Sequence, residues 1–460
     1  MKLSFHGADR TVTGSCHMVE CAGRRILIDC GLYQGGGEIE EENARPFGFD
    51  PAAVDIVLLT HAHLDHCGRL PLLVKRGFRG EIVATAATAE LARLVMVDAA
   101  GLQEEDSRFR AKRFGNRPDR AVAPLYSVID ALNTAGRFGQ AAEYGKPIEL
   151  APGLTATFLD AGHILGSVCV FLEARQDGRT SSVLFSGDLG KTVDTLLTGP
   201  ARPPHADAVV VETTYGDRDH RPLEPSVAEF YDAVTAAFRR GGNVVVPTFA
   251  LERAQEILYL IGRGIETGRL PPSAQVYVDS PMAISATEVM ERNPQGLQPA
   301  IAAAIRGGRD PFHFAGVHFT RDRGDSQKLN DIRSGAVILA GSGMCTGGRV
   351  RHHLMRNLPR AESSIVFVGF AAVGTLARAI VDGAAEVGIF GERVPVRARI
   401  HTINGFSAHA DRHDLLAWLA QIAAPRTFLV HGEQGTMGSF ASLLHGSKVE
   451  MPELHRSYEL

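Results

Sequence analysis

The segment 60–68 limits what this chain can be more than any other part of it. Within six residues it holds three histidines and one aspartate: His61, His63, Asp65 and His66. Neither a helix nor a strand needs this composition for packing. The apolar run 54–59 just before it predicts a buried strand. The histidines therefore follow the carboxyl end of a strand, where α/β sheets bind ligands.

The residue types in this segment are those that bind zinc. Imidazole nitrogens and carboxylate oxygens coordinate zinc at about 2.0–2.2 Å. Four such groups on one tight loop cannot all face a single ion, so the motif predicts two ions side by side. The alternative is a polar surface loop that happens to be rich in histidine. Further residues of metal-binding types later in the sequence disfavour this alternative.

Four more residues of these types stand at or just after the ends of apolar runs that predict strands. Asp188 is the most informative, because its two oxygens could bridge two cations. A lone histidine or acid after a strand is more often a solvated or capping residue. The interpretation of these residues as metal ligands therefore depends on finding four of them at strand ends. The four residues are His163, Asp188, Glu212 and His431.

Asp29 ends a predicted hairpin strand and is followed two residues later by Gly31. A strand-end turn is one interpretation. The other is a carboxylate that orients a metal-bound histidine, and the other ligand types favour it.

The charge of the chain excludes a general attraction to nucleic acid. The formal net charge is −4, so nucleic-acid binding would need a local basic patch. The most basic segment, 107–117, interleaves two phenylalanines with arginine and lysine. A solvated loop and a contact to a phosphate backbone are both open interpretations. The basic residues concerned are Arg108, Arg110, Lys112 and Arg113.

A second α/β domain is predicted between about residues 222 and 394. Apolar strands at 243–247, 275–279, 336–340 and 364–368 alternate with helical stretches, which indicates a parallel sheet covered on both faces. The loop 341–348 follows one of these strands, and its backbone N–H groups could hold a phosphate. An ordinary glycine-rich turn is the alternative. The candidate residues are Ser342, Gly343 and Met344.

The remaining sequence features concern the environment of the protein. The six cysteines show neither metal-site nor disulfide-framework spacing. The amino terminus does not resemble a signal peptide, and no apolar run is long enough to span a membrane. These features predict a reduced, cytoplasmic protein without a membrane segment.

The order of these motifs resembles the metallo-β-lactamase superfamily and, within it, the β-CASP group of nucleases. The His-x-His-x-Asp-His motif is shared by the whole superfamily. Glu212, His409 and His431 together with a large insertion are specific to the group. The chain is most similar to bacterial and archaeal homologues of the nuclease subunit that cleaves eukaryotic pre-mRNA before polyadenylation.

The resemblance implies an α/β fold: a metallo-β-lactamase αββα sandwich with an inserted α/β β-CASP domain and an active site between them. The expected parts are a first metallo-β-lactamase segment at 1–216, the β-CASP domain at 217–396 and a final metallo-β-lactamase segment at 397–460.

The resemblance also implies the site and its cofactors, two Zn²⁺ ions per chain. His61, His63 and His163 would bind one ion and Asp65, His66 and His431 the other, with Asp188 bridging and Asp29 behind the ligands. The catalytic residues would be Asp65, Glu212 and His409. His409 would act as general acid, and Glu212 would hold its ring.

The implied activity is a zinc-dependent ribonuclease that cuts single-stranded RNA internally, with 5′ exonuclease action also open. A DNA nuclease of the same family is the nearest alternative, which His431 disfavours because DNA-directed members usually carry valine there. A small-molecule metallo-hydrolase would not need the insertion of some 170 residues. A homodimer is compatible with the resemblance, which does not fix the number of copies.

Overall fold

The protein folds into two compact units. The computed structural model describes residues 1–35, 41–114, 123–176, 178–369, 371–372 and 374–460. The first unit contains Met1–Val193, Leu197–Asp219 and His409–Leu460, and the second contains Asp194–Leu196 and His220–Ala408. The first unit is therefore built from both ends of the chain.

The first unit contains a six-stranded sheet with the order β21-β1-β2-β3-β4-β5. Strands β21, β1, β2 and β3 pair antiparallel, whereas β3, β4 and β5 run parallel. The strands predicted at the amino terminus and before the histidine motif are confirmed. They are β1 (Lys2–Phe5), β2 (His17–Cys21), β3 (Arg24–Ile28), β4 (Ile56–Leu58), β5 (Glu81–Val83) and β21 (Ser457–Glu459).

A seven-stranded sheet with the order β20-β19-β10-β9-β8-β7-β6 completes the sandwich. Strands β20, β19, β10 and β9 run parallel, and the rest pair antiparallel. The strands are β6 (Pro147–Ala151), β7 (Leu154–Asp160), β8 (Val168–Gln176), β9 (Arg179–Phe185), β10 (Ala208–Glu212), β19 (Arg426–Val430) and β20 (Lys448–Glu450).

The helices of the first unit come from two stretches of chain, one near each end. They are α1 (Leu64–Cys67), α2 (Leu70–Lys75), α3 (Ala86–Phe114), α4 (Val128–Ala135), α12 (Arg412–Ala420) and α13 (Gln434–Ala441). Helix α12 is the last but one of these helices. Its Leu415 and Trp418 are buried.

The alternation of side chains along β10 explains why its sequence is apolar throughout. Val210 points into the core between the two sheets, together with Phe5, Phe158 and Phe428. Val209 and Val211 point the other way, into a core formed with α12 and α13. A strand with helices on one face and a sheet on the other buries both sets of alternate residues. The strand is thus fixed at the centre of the sandwich.

The interpretation of segment 107–117 as a solvated loop is wrong as far as residue 114. Helix α3 continues to Phe114, because arginine and lysine are among the better helix formers. The exposed Arg108 donates from Nε to the Glu104 carbonyl, 3.1 Å away. The side chains of Arg110, Lys112 and Arg113 and the whole of residues 115–122 lie outside the described part of the chain.

The second unit is built on a six-stranded parallel sheet with the order β13-β12-β14-β11-β15-β18. The four strands predicted for the inserted domain are confirmed in β11, β12, β14 and β15. The full set is β11 (Val244–Pro247), β12 (Gln275–Val278), β13 (Val317–Phe319), β14 (Ala336–Ala340), β15 (Ser364–Phe367), β18 (Arg399–Thr402) and a separate hairpin, β16 (Glu386–Ile389) with β17 (Glu392–Pro395).

Seven helices belong to the described part of the second unit. One core packs Val245, Ile338 and Phe367 of the sheet against α10, α11 and the hairpin. The helices are α5 (Leu223–Arg239), α6 (Arg253–Glu266), α7 (Pro281–Arg292), α8 (Pro299–Arg306), α9 (Arg323–Lys328), α10 (Val350–Asn357) and α11 (Leu376–Val381).

The boundaries between the units differ from the expected 217 and 396. The second unit begins at His220 and ends at Ala408. Residues 397–408, expected in the final metallo-β-lactamase segment, lie in the second unit, where Arg399–Thr402 form β18 and pair in parallel with β15. Among the described residues, no helix is long and apolar enough to cross a bilayer.

Candidate active site

The histidine motif divides at the start of α1. His61 and His63 lie in extended chain after β4, and Asp65 and His66 lie in the first turn of the helix. The turn packs closely on the chain beside it: a Cβ atom at Gly31 would lie 1.6 Å from the Asp65 carbonyl oxygen. Because helix and extended chain aim side chains differently, the two pairs of ligand candidates face different neighbours.

The first cluster combines His61, His63 and His163. The His63 Nδ1 atom lies 3.1 Å from His61 Nε2 and 3.2 Å from His163 Nε2. Asp188 Oδ2 lies 3.5 Å from His61 Nε2 and 3.6 Å from His163 Nε2. All four residues thus offer one atom to the same small volume.

The second cluster combines Asp65, His66 and His431. The Nε2 atoms of His66 and His431 are 3.3 Å apart, and Asp65 Oδ2 lies 3.4 Å from His431 Nε2. The other oxygen of Asp188, Oδ1, lies 3.2 Å from His66 Nε2. Asp188 therefore gives one oxygen to each cluster.

These separations fit the chemistry of the metal that the residue types suggest. Ligand atoms about 2.0–2.1 Å from a tetrahedral ion are about 3.3 Å from one another, and the distances in both clusters fall on either side of that value. A neutral imidazole has one lone pair to give. Burial lowers the pKa of His61 well below its usual value and that of His63 to about 4, so both rings are neutral at pH 7.

The carboxylate between the clusters is held in its charged form. Burial raises the pKa of Asp188, but the rings of His431, His66 and His61 outweigh it and lower the pKa well below the usual range. The pKa of His66 is raised in turn, because Asp188 and Asp29 outweigh the effect of burial. The two shifts have one cause, because the Asp188 carboxylate and the His66 imidazolium stabilise each other.

Neighbours outside the clusters fix the orientation of the rings. Asp29 Oδ2 lies 2.7 Å from His66 Nδ1, and the carboxylate also accepts the Thr60 N–H and hydroxyl, each at 2.7 Å. Thr214 Oγ1 lies 3.1 Å from His431 Nδ1. Contacts of this kind select the tautomer and the angle of a ligating ring.

Two of these residues hold a backbone conformation that L-residues rarely adopt. Asp29 has φ of 61° and His431 has φ of 50°. The His431 N–H donates to the Ala8 carbonyl at 2.7 Å, which helps to hold the strained position. Strain of this kind concentrates at functional sites.

Glu212 and His409 form a third group beside the clusters. Glu212 Oε1 lies 3.1 Å from His409 Nδ1, and the same carboxylate accepts the Leu189 and Thr214 N–H groups at 2.9 and 3.0 Å. Asp188 Oδ2 lies 3.9 Å from His409 Nδ1. Burial opposes protonation of His409, but Glu212 and Asp188 raise its pKa to about 9.

The remaining candidates are not part of these groups. Arg108 lies on α3 and contacts neither cluster. Ser342, Gly343 and Met344 lie in the second unit, between β14 and α10, where the Val350 N–H returns to the Gly341 carbonyl at 3.1 Å and closes the loop. Thr60 and Thr214 were not assigned as site residues from the sequence. Only their positions next to ligand candidates could have suggested them.

The sandwich and the paired ligand clusters define a metallo-hydrolase of the αββα type with an inserted α/β unit. Three family models match the chain: the metallo-β-lactamase superfamily over residues 9–248, the Beta-Casp domain over 254–380, and a Zn-dependent metallo-hydrolase RNA specificity domain over 393–452. The chain belongs to the β-CASP group of the metallo-β-lactamase superfamily.

Several characterised proteins are similar over most of their length. Ribonuclease TTHA0252 of Thermus thermophilus is 41% identical over 96% of both chains. The RNase J-like protein of Methanocaldococcus jannaschii is 30% identical over 95% of this chain and 94% of its own. Transcription termination factor FttA of the same organism is 31% identical over 96% of this chain and 68% of its own.

One solved structure shares the fold at low sequence identity. It is the crystal structure of a protein of unknown function from Enterococcus faecalis V583, with a TM-score of 0.56 and 12% identity. The match covers 100% of this chain and 99% of that one.

Proposed function

We propose that this protein is a zinc-dependent ribonuclease that hydrolyses phosphodiester bonds of single-stranded RNA, in RNA processing or decay. The observation that carries the proposal is the position of Asp188, with one oxygen facing each ligand cluster. The match to an RNA specificity domain and the relatives named as ribonucleases support RNA as the substrate.

The proposed ligands are divided between two zinc ions. His61, His63 and His163 would hold one, and Asp65, His66 and His431 the other, with Asp188 shared. When bound, such a pair of ions stabilises charge on the phosphoryl oxygens and brings the pKa of a water to about 7. Asp29, Thr60 and Thr214 would keep the ligating rings oriented.

The protein itself would supply the proton that the leaving group needs. When the attacking water oxygen bonds to phosphorus, the bond to the ribose 3′ oxygen breaks and that oxygen takes a proton. His409 would donate it from Nε2, because its Nδ1 is directed at Glu212. With a pKa of about 9, His409 is protonated at neutral pH, and the Glu212 carboxylate stabilises the imidazolium. Bound cations would bring this pKa nearer to neutral.

The cellular setting follows from weaker observations. All six cysteines are unpaired and buried, as expected of a protein in a reducing compartment, and we include a cytoplasmic location in the proposal. A homodimer stays a prediction from the family resemblance.

The test is cleavage of one end-labelled single strand, supplied as RNA and as DNA of the same sequence, by the zinc-loaded protein. We expect internal cuts in RNA only, loss of cutting with a chelator, and none with Asp188→Ala. Cutting of DNA at a comparable rate would support the DNA nuclease alternative. If neither strand is cut but a β-lactam or thioester is hydrolysed, the small-molecule alternative is right.

A further inference from the structure

The hairpin of β16 and β17 has an aromatic residue where its geometry disfavours one. Ile389 pairs with Glu392, so Phe390 and Gly391 alone form the turn, with φ of 52° and 85°. Two-residue turns with both φ values positive favour Asn-Gly, Asp-Gly or Gly-Gly. Phe390 is also 46% exposed. The position thus loses stability through its backbone and leaves part of an apolar side chain in water.

Packing fixes the position of this ring against α10. The centroid of the Phe390 ring lies 4.4 Å from Arg351 Cζ and 4.5 Å from the centroid of the His352 ring, with the two rings inclined by 32°. The hairpin is anchored below the turn, because Ile389 and Val394 share a core with Leu354 of α10. The aromatic surface is therefore presented in one orientation.

Three arginines lie near the ring and its neighbour His352. Within the described part of the chain, no carboxylate forms an ion pair with Arg323, Arg351 or Arg356. Glu386 forms an ion pair with Arg393 at 3.4 Å, and Asp325 forms one with Lys328 at 2.7 Å. Arg356 lies one helical turn after His352 and shares its face of α10.

The pKa of His352 reports the same environment. Partial burial lowers it, the nearby charges of His353, Arg323 and Arg351 lower it further, and the Asp279 carboxylate opposes the shift without reversing it. The His352 ring is therefore neutral at pH 7 and offers a second flat surface beside Phe390, while the arginines keep the local potential positive.

We propose that Phe390 and His352, with Arg323, Arg351 and Arg356, form a binding subsite for single-stranded RNA, in which one base stacks on the aromatic surface and the arginines hold the neighbouring phosphates. Rings that stack on bases, surrounded by cations that follow the backbone, are the usual means of binding single strands without sequence preference. With a net charge of −4, the chain needs such a local cluster to attract RNA. This inference rests on the proposed function and adds a substrate contact outside the metal clusters.

The first experiment measures binding of a fluorescein-labelled single-stranded RNA by anisotropy, with a chelator present so that no strand is cut. Phe390→Ala should weaken binding about five- to tenfold, at the lower end of what one stacked base contributes, and Phe390→Trp should restore it. Scanning one abasic nucleotide along the RNA should find a position that matters to the wild type and not to Phe390→Ala.

The charge contribution has its own matched control. Replacing Arg351 and Arg356 by alanine should reduce the slope of log affinity against log salt by about 1.4, since each phosphate contact to a single strand contributes about 0.7. Arg306 and Arg309 are exposed and lie elsewhere in the same unit. Their double alanine variant removes the same charge and should leave the slope unchanged.

A third variant separates binding from folding. Phe390→Asn puts a preferred residue into the left-handed turn, so it should unfold at the same or a higher temperature than the wild type while binding RNA as weakly as Phe390→Ala. A structural role for Phe390 would instead lower the unfolding temperature of both variants.

The outcomes separate this inference from the proposed function. If the wild type cuts RNA but the Phe390 and arginine variants bind it with wild-type affinity and salt slope, the subsite is wrong and the ribonuclease stands. If the wild type neither binds nor cuts RNA, both are wrong.

Discussion

The two units end their parallel strands with different chemistry. In the first unit, His61, Asp188, Glu212 and His431 stand at or just after the ends of β4, β9, β10 and β19. In the second, the residues after β11, β12, β14 and β15 are Thr248, Asp279, Gly341 and Val368. The backbone geometry is the same, but only the first edge concentrates groups that can bind metal.

The one acid at the second edge explains the difference. Asp279 is fully buried, and its oxygens contact Arg349 at 2.7 Å, His353 at 2.6 Å and the Ser326 hydroxyl at 2.7 Å. Its charge is balanced within the second unit. Asp188 is balanced chiefly by His431, His66 and His61, which are themselves ligand candidates. An acid after a strand marks a reaction centre when its partners are also potential ligands, and a structural anchor when they are not.

The largest expected effect is at the shared carboxylate. Asp188→Ala removes a ligand from both clusters, so we expect turnover of RNA to fall about a thousandfold or more, because metal ions contribute several kcal/mol to the transition state. Bound zinc, measured by plasma mass spectrometry, should fall below two ions per chain. Asp279→Asn is the matched control and should keep both ions. Equal metal content in the two variants would show that the strand ends of the first unit do not differ from those of the second in binding metal.

The next largest effect on activity is expected at His409, the proposed general acid. His409→Ala should slow single-turnover cleavage about 10²- to 10⁴-fold, the usual contribution of a positioned acid, with two zinc ions still bound. Loss of metal in this variant would show that His409 is a ligand and not the acid.

Glu212→Gln tests the same assignment through pH. Without metal, the pKa of His409 is raised to about 9, chiefly by Glu212 acting against burial, and bound cations would bring it nearer to neutral. Activity that needs the imidazolium is lost as pH rises through the pKa of the zinc-loaded enzyme. Removing the carboxylate lowers the pKa, and the alkaline limb of the rate profile should move to lower pH. An unmoved limb would exclude His409 as the titrating acid.

Substitution of Asp279 in the second unit should change the stability of the protein but not its metal content. Asp279→Ala leaves the Arg349 and His353 side chains without their shared partner. It should lower the free energy of unfolding by about 3 kcal/mol, as expected when one side of a buried ion pair is removed. Denaturant titration measures this loss. The zinc content of the folded fraction should equal that of the wild type, and a loss of metal there would contradict a purely structural role.

The smallest predicted effect concerns acid stability of the first unit. Burial, followed by the charge of His455, lowers the pKa of His6 from 6.5 to about 4. Between these values the unfolded chain binds a proton that the folded chain does not, so stability falls as pH falls. From pH 7 to pH 5 this residue should account for about 2 kcal/mol. In the presence of a chelator, His6→Gln should show a correspondingly smaller loss than the wild type.

The positions of the ligand candidates could be predicted because each follows a short apolar strand, a pattern that fixes where a side chain emerges. The strand pattern alone did not predict how they group; that grouping was implied only by the resemblance to the β-CASP nucleases. The motif divides because Asp65 and His66 enter a four-residue helix, too short to leave a periodic signal. Thr60 and Thr214 act through single hydrogen bonds, and threonine is too common at strand ends to stand out.

The errors have similar physical causes. Helix α3 continues through basic residues because charge does not oppose a helix when the side chains reach water. Strand β18 was missed because Arg399 and His401 alternate with Ile400 and Thr402 at a partly exposed edge, unlike the fully apolar central strands. Phenylalanine is disfavoured in two-residue turns with positive φ. The sequence preferences of turns therefore could not predict the turn at Phe390.

The order in which a ribosome makes this chain bears on when it can act. His409 and His431 belong to the last stretch of the first unit, yet they meet residues near the start, and the backbone N–H of His431 bonds to the Ala8 carbonyl. The nascent chain therefore lacks the proposed acid until His409 has emerged from the ribosome, and it lacks one proposed ligand until His431 has emerged. If His409 and His431 act as proposed, the ribonuclease stays inert while the first 408 residues of its own chain are being made, and a product truncated before residue 409 stays inert as well.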